Sequence, residues 1–334
     1  MTFKRLTSLV LALVLALGLA SCGNNTGGDG SEFVLASEIT AEKQNEADKV
    51  VDSLMAALSS RDTKTALPLF SSGFESTEEE LGEFFDKVNA LTSNPFVKFD
   101  SYYMKDLEVK DTVIKVKKSN DDENYIELTP ASSEIYVALL ASEGENISYL
   151  MTIVLSYNDG KFEIVWINPG DFKYAGRDAT AVLETSEKLE EDGNIIGAYI
   201  SSCMLGNLMR PAGYYRYADD NKMEDFCYKL YSTVSEKFPL PLALDKTTDS
   251  SVYELGIAKD DEHGVIPLIM FKTGVDTNNR SAIEEESKKV IDAIESLSPG
   301  FRQAFEYARL NATNDDLSKN TSSVKAESVT LKLH

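Results

Sequence analysis

The sequence predicts an α+β protein in two units joined by a helical connector, and three observations predict it. Apolar residues recur at helical spacing through residues 40–91. Six segments rich in β-branched and aromatic residues then run to residue 168 with no helical stripe between them. Helical stripes return from residue 174, and strand patterns reappear only after residue 250. Helices first and strands afterwards argue for an α+β layout. They argue against a doubly wound sheet, where strand and helix alternate. A chain of 334 residues also exceeds what one core usually organises, since cores seldom grow past ~250–300 residues.

The N-terminus reads as an export signal. Lys4 and Arg5 form a short positive region, and Leu6 to Leu19 is apolar except at Thr7, Ser8 and Gly18. That stretch is shorter than the ~20 residues a spanning helix needs, which favours a cleaved signal over an anchor. Leu19-Ala20-Ser21-Cys22 follows: an aliphatic residue, two small ones and a cysteine. This resembles the lipobox of bacterial lipoproteins. The resemblance implies a signal peptide over residues 1–21, a diacylglyceryl group on Cys22, and Cys22 as the mature N-terminus. It implies a membrane partner through that lipid, at the outer face of the cytoplasmic membrane or, in a Gram-negative host, the outer membrane. Residues 22–37 begin with Gly23-Asn24-Asn25-Thr26-Gly27-Gly28-Asp29-Gly30, a composition that behaves as a flexible tether.

The first folded unit is expected over residues 38–169. Ala47, Val50, Val51, Leu54, Ala57 and Leu58 make one helix over residues 40–60, with Thr40 as its cap. Asp62 caps a short second helix. Thr77-Glu78-Glu79-Glu80 has the capping-box pattern and opens a third, with Leu81, Phe84, Phe85, Val88 and Leu91 inward and Pro95 beyond its end. Strands are predicted over residues 97–105, 112–118, 124–128, 134–141, 147–157 and 161–168, as an antiparallel meander. Asn158-Asp159-Gly160 is a hairpin turn between the last two.

Within this span, Ala47-Asp48-Lys49-Val50-Val51-Asp52-Ser53-Leu54, the polar break Ser59-Ser60-Arg61-Asp62, Ala66-Leu67-Pro68-Leu69-Phe70, and Asp159-Gly160-Lys161-Phe162-Glu163-Ile164 leading to Trp166 resemble the NTF2-like (cystatin-like cone) family. That resemblance implies three helices wrapped by a curved antiparallel sheet enclosing a pocket. Some relatives isomerise or dehydrate small ligands there with a tyrosine and an acid. Asp100, Tyr102, Tyr149 and Trp166 are the strand residues it nominates as pocket lining, with Tyr103 on the opposite face from Asp100 and Tyr102 by alternation. No residue matches a specific catalytic motif, so none is assigned a catalytic role.

Residues 174–211 read as a helical hairpin, broken at Glu190-Glu191-Asp192-Gly193, where glycine permits a left-handed cap. Gly193, Ala198 and Pro211 resemble a single tetratricopeptide-type unit with no second copy, so a connector between domains is the expectation. The second α+β unit is expected over residues 212–334. A helix over 220–238 carries Met223, Phe226, Cys227, Leu230, Val234 and Phe238 on one stripe. Residues 252–258 and 264–272 form a strand pair. Ser281-Ala282-Ile283-Glu284 reads as a second capping box, opening a helix that stops at Ser298-Pro299-Gly300. Residues 301–311 are ambiguous between helix and strand, and 324–333 suggest a final edge strand.

Charge and reactive residues narrow the function. The formal net charge is −22, and removal of the first 21 residues with Lys4 and Arg5 takes it two lower, to −24. So acidic a body repels phosphate backbones, which argues against a nucleic-acid partner. There are two histidines, His263 in an acidic turn and His334 at the terminus; a zinc site or a Ser-His-Asp triad needs positioned imidazoles, and the chain offers at most one. Asp121-Asp122-Glu123 and Asp260-Asp261-Glu262 lack EF-hand ligand spacing and read as solvated loops. No Gly-rich phosphate or dinucleotide loop occurs, so neither metal nor cofactor is expected. Cys203 and Cys227 leave two readings open: a disulfide, which export permits, or buried thiols on an apolar stripe. Spacing does not decide, because the bond needs Cα atoms within ~7 Å. The leading expectation is a non-enzymatic lipoprotein that binds an envelope protein or a small ligand. The alternatives are a transporter's solute-binding lipoprotein and an NTF2-like enzyme using the cone pocket.

Overall fold

The computed structural model describes residues 33–74, 76–109, 113–120, 122–244, 248–315 and 325–334. Cys22, the signal-like segment and most of the tether lie outside them. The architecture is α+β, with helices packed on three mostly antiparallel sheets. No helix among the described residues is long and apolar enough to cross a membrane.

A short strand β1 (Phe33–Leu35) leads into α1 (Ala41–Ser60), capped by Thr40, whose hydroxyl accepts from the Lys43 N–H at 3.4 Å. Asp62 caps α2 (Thr63–Ala66), accepting from the Thr65 N–H at 3.1 Å. Thr77 and Glu80 complete the expected capping box at the start of α3 (Glu78–Leu91). The strands follow: β2 (Val97–Met104), β3 (Ile114–Lys117), β4 (Tyr125–Leu128), β5 (Ile135–Ser142), β6 (Ile147–Asn158) and β7 (Lys161–Tyr174). Asp159 and Gly160 both have positive φ, 49° and 82°, as a two-residue hairpin of the primed type requires.

The six strands do not form one meander. β2, β5, β6 and β7 make a four-stranded antiparallel sheet, whereas β3 and β4 leave it and pair with β1 and with β8 (Tyr215–Arg216) in a second sheet. Burial on both faces is the reason. β5 is buried along its whole length, so the central sheet needs a layer on each side. One side receives α1 and α3 through Leu54, Leu81, Phe85, Tyr103, Tyr136 and Met151. The other receives the β1-β3-β4-β8 sheet and helices from the connector, on Tyr102, Leu139, Leu150 and Val154.

β7 also runs six residues past its expected end, through Pro169 and Gly170. An edge strand tolerates proline, and a Cβ at Gly170 would sit 2.6 Å from the Ala212 backbone nitrogen, a gap only glycine leaves. Register shifts in β2–β5 and β6–β7 bend the strands.

The connector is α4 (Ala179–Glu191) and α5 (Ile195–Leu208), capped by Asp178 and Asn194, with Gly193 at φ 81° between them. Helix α6 (Asp220–Lys237) packs on α5, and its Met223, Phe226 and Leu230 join the core on the central sheet's second face, so it belongs to the first unit. The second unit therefore starts near Leu242 rather than at residue 212. It comprises β9 (Leu242–Ala243), β10 (Ser251–Asp260), β11 (Gly264–Lys272), α7 (Arg280–Leu297), α8 (Phe301–Ala304), β12 (Tyr307–Thr313) and β13 (Glu327–Lys332). Its sheet has the order β13-β12-β11-β10-β9, with β11 and β12 parallel and α7 between them in sequence.

The cap of α7 is Asn279, which accepts from the Ala282 N–H at 3.2 Å, and not Ser281, which lies in the first turn. The ambiguous segment 301–311 divides into α8 and β12. Helix α5 serves both cores. Ile196 and Ile200 pack in the second, and Ala198, Leu205 and Leu208 in the first.

Candidate functional site

The face of the central sheet that meets α1 and α3 opens at one end into a groove of about 250 Å3. Its walls are residues 36–39, the first turn of α1 and the free edge of β2. The segment 36–39 is held there by backbone bonds. The Ala36 N–H donates to Lys117 O and the Ser37 N–H to Tyr103 O, each at 2.7 Å, so the chain staples β3 to β2 as it enters the fold. Ser101 and Tyr103 project into the groove from β2, Tyr136 from β5 opposite Tyr103, and Gln44 from α1.

The polar groups here form two hydrogen-bonded clusters, one around Asp48 and one around Glu134. Gln44 Nε2 donates to the Tyr136 hydroxyl at 2.6 Å and to Asp48 Oδ1 at 2.9 Å. The Tyr136 hydroxyl and Lys98 Nζ also donate to Asp48 Oδ1, at 3.1 and 2.7 Å. The Tyr103 hydroxyl donates to Glu134 Oε1 at 2.7 Å, and Lys43 Nζ bonds the same oxygen. Lys118, on the rim, bonds Asp100.

Burial alone would raise the Asp48 pKa. The bonds from Lys98, Gln44 and Tyr136 outweigh it and hold the carboxyl below its usual range. Burial works against the Lys43 ammonium, but Glu134 and Tyr103 reverse the shift and raise it. Burial, then Glu134, pushes the Tyr103 hydroxyl up. Burial lowers the Lys118 pKa, and repulsion from Lys98 adds to it, against the pull of Asp122. The groove thus presents fixed donors and acceptors of both signs on two tyrosine rings. That is a surface for holding a ligand with several polar groups.

The four residues nominated from the sequence are not brought together. Tyr102 lies on the opposite face of β2 and is buried, with its hydroxyl pushed up to about 12 by burial. Tyr149 is buried under Lys259, whose ammonium sits 5.4 Å above its ring. Trp166 packs against Tyr214 at 4.9 Å with its indole N–H unpartnered. Asp100 is committed to Lys118. That face is sealed by the aromatic run Phe99, Phe172, Tyr215 and Tyr217, with rings 5.3, 6.3 and 5.3 Å apart. Tyr103, Tyr136 and Gln44 line the groove instead. Alternation along β2 separates Tyr103 from Tyr102, but which face stays open depends on the layer that covers the other.

Cys203 and Cys227 are free thiols. Cys227 Sγ points at the Ser202 carbonyl, 3.4 Å away, instead of at Cys203, and burial raises the thiols to about 12 and 11 respectively. His263 lies in the turn between β10 and β11, with its ring stacked on Tyr307 at 3.8 Å and 3°. His334 Nδ1 lies 3.0 Å from Arg302 O, which ties the terminal ring down. Asp260 accepts from the Glu262 and His263 N–H groups and bonds Arg309, which commits it to the turn. Among the described residues no three His, Cys, Asp or Glu side chains converge as a metal-ligand set. No protein-family model matches the chain, and no curated protein sequence matches it.

Proposed function

We propose that the chain is an exported lipoprotein, anchored through acylated Cys22, that binds a small polar ligand or the polar end of an envelope partner in the groove at Tyr103, Tyr136 and Gln44. The observation that carries the binding reading is the composition of that groove. Paired donors and acceptors are pre-positioned on tyrosine rings, and the groups that could act as acid or base are already held by ion pairs. Asp48 stays ionised, where a cone-pocket enzyme of the expected kind would want a neutral acid beside a tyrosine. The transporter reading has less support. The central sheet is antiparallel throughout, unlike the repeated strand–helix units of two solute-binding lobes.

Two measurements test the proposal. Mass spectrometry of the N-terminal peptide from membrane-expressed protein is expected to show a diacylglyceryl adduct on Cys22. Native mass spectrometry of the same protein is expected to show a small-molecule adduct that Tyr103→Phe and Gln44→Ala deplete about tenfold, as loss of one or two buried hydrogen bonds implies. An adduct unchanged by both substitutions, or none from wild type, removes the groove from consideration.

A further inference from the structure

Strand β1 is an edge strand with apolar side chains exposed on both faces: Phe33 is 51% exposed, Val34 37% and Leu35 47%. Sheet edges are ordinarily short, charged or covered, and an uncovered apolar edge marks a contact surface. Val113, 41% exposed, immediately precedes β3, to which β1 pairs. The register sets Phe33 opposite Lys115 and Leu35 opposite Lys117, and the Lys117 ammonium lies 4.5 Å from the Phe33 ring centroid. Residues 113–118 hold Lys115, Lys117 and Lys118 and no acid, in a chain of net charge −22, and the register sets Glu127 of β4 opposite Lys115. Lys118 also bonds Asp100, so the apolar side chains supply most of any contact and the lysines its sign.

The position of this edge along the chain says what covers it. Ten residues separate Cys22 from Phe33. Eleven such steps reach at most ~38 Å. A lipid on Cys22 therefore keeps β1, the described element nearest the anchor along the chain, within ~38 Å of the bilayer. Exposed aromatic and aliphatic side chains beside lysines are the pattern of interfacial binding, and anionic headgroups repel the rest of so acidic a body.

We propose that β1 and the start of β3 form a membrane-docking face, with Phe33, Val34 and Leu35 at the boundary of headgroups and acyl chains and Lys117 and Lys118 toward anionic phospholipid headgroups. The inference rests on the lipid tether proposed above. It adds an orientation: Leu35 runs directly into residues 36–39, so the docked face holds the groove at headgroup level.

The test uses the full chain, expressed in a bacterial membrane and reconstituted into vesicles of phosphatidylglycerol and phosphatidylcholine carrying brominated acyl chains. Tryptophan is introduced by Phe33→Trp or, as a control in the second unit, by Leu297→Trp. Emission from the Phe33→Trp protein is expected to fall about twofold relative to the Leu297→Trp control, because bromine quenches only at contact depth. Adding Lys117→Glu, or omitting phosphatidylglycerol, is expected to reverse part of that loss, while Phe33→Ser beside the reporter Leu35→Trp is expected to reverse most of it. Quenching no greater than the control's, in protein that floats with the vesicles and carries the Cys22 adduct, overturns the docking face and leaves the tether standing. Protein that lacks the adduct and does not float overturns both.

Discussion

Asp48 shows how the groove is held at the level of single residues. Its folded pKa lies below the unfolded value, so its contribution to stability is complete above the unfolded carboxylate's pKa and disappears as pH falls through the folded one. Asp48→Asn is therefore expected to lower the urea midpoint at pH 7, and the deficit is expected to shrink as pH falls below the unfolded carboxylate's pKa and to close once the folded carboxyl is protonated. A deficit that persists unchanged in acid assigns the loss to packing and not to charge. The cysteines give a second residue-scale test. With thiols raised to about 11 and 12, Cys203 and Cys227 hold little thiolate at pH 8. Reaction with Ellman's reagent is expected to be roughly a hundredfold slower than for an exposed thiol, and to become fast in urea. Rapid loss of only one thiol in folded protein contradicts this.

At the scale of elements, the caps decide where helices begin. Asn279 rather than Ser281 caps α7, so Asn279→Ala is expected to cost about 1 kcal/mol and Ser281→Ala only a few tenths, measured by chemical denaturation. Both residues are good caps by type, and the sequence offered a capping box at Ser281. The structure starts the helix two residues earlier, where the Asp276–Asn278 turn places the Asn279 side chain over the Ala282 N–H. Thr40, Asp62, Thr77 and Gly193 were legible because each acts on backbone within four residues. The strands of the first unit were legible as strands for the same reason, since a period of two is local. Their partners were not. Nothing in residues 112–128 distinguishes a strand that continues the meander from one that crosses to a second sheet.

At the scale of the whole molecule, the two units share helix α5 and are fastened at its start. The Ser298 hydroxyl donates to Asn194 Oδ1 at 2.7 Å and accepts from the Ile196 N–H at 2.9 Å, all buried, which ties the end of α7 to the connector. Ser298→Ala leaves the Ile196 N–H without that acceptor, at a cost of ~1–3 kcal/mol. Unfolding of the first unit, followed by fluorescence of the single tryptophan Trp166, is then expected to separate from the loss of total secondary structure followed by circular dichroism. Coincident transitions in the variant would mean that the shared helix alone couples the units.

The sequence by itself determined the α+β class, the helix starts that depend on local caps, the Asp159-Gly160 hairpin, and a charge that repels nucleic acid. It also supplied the groove's residue types, since Tyr103 was already separated from Tyr102 by strand alternation. Only the tertiary structure decided which face of the central sheet stays open, that α6 belongs with the first unit, and that the two thiols are not joined. The reason is range. Caps, turns and periodicity act over a few residues, whereas a buried face is chosen by whichever distant layer covers more apolar surface, here the β1-β3-β4-β8 sheet with α4, α5 and α6.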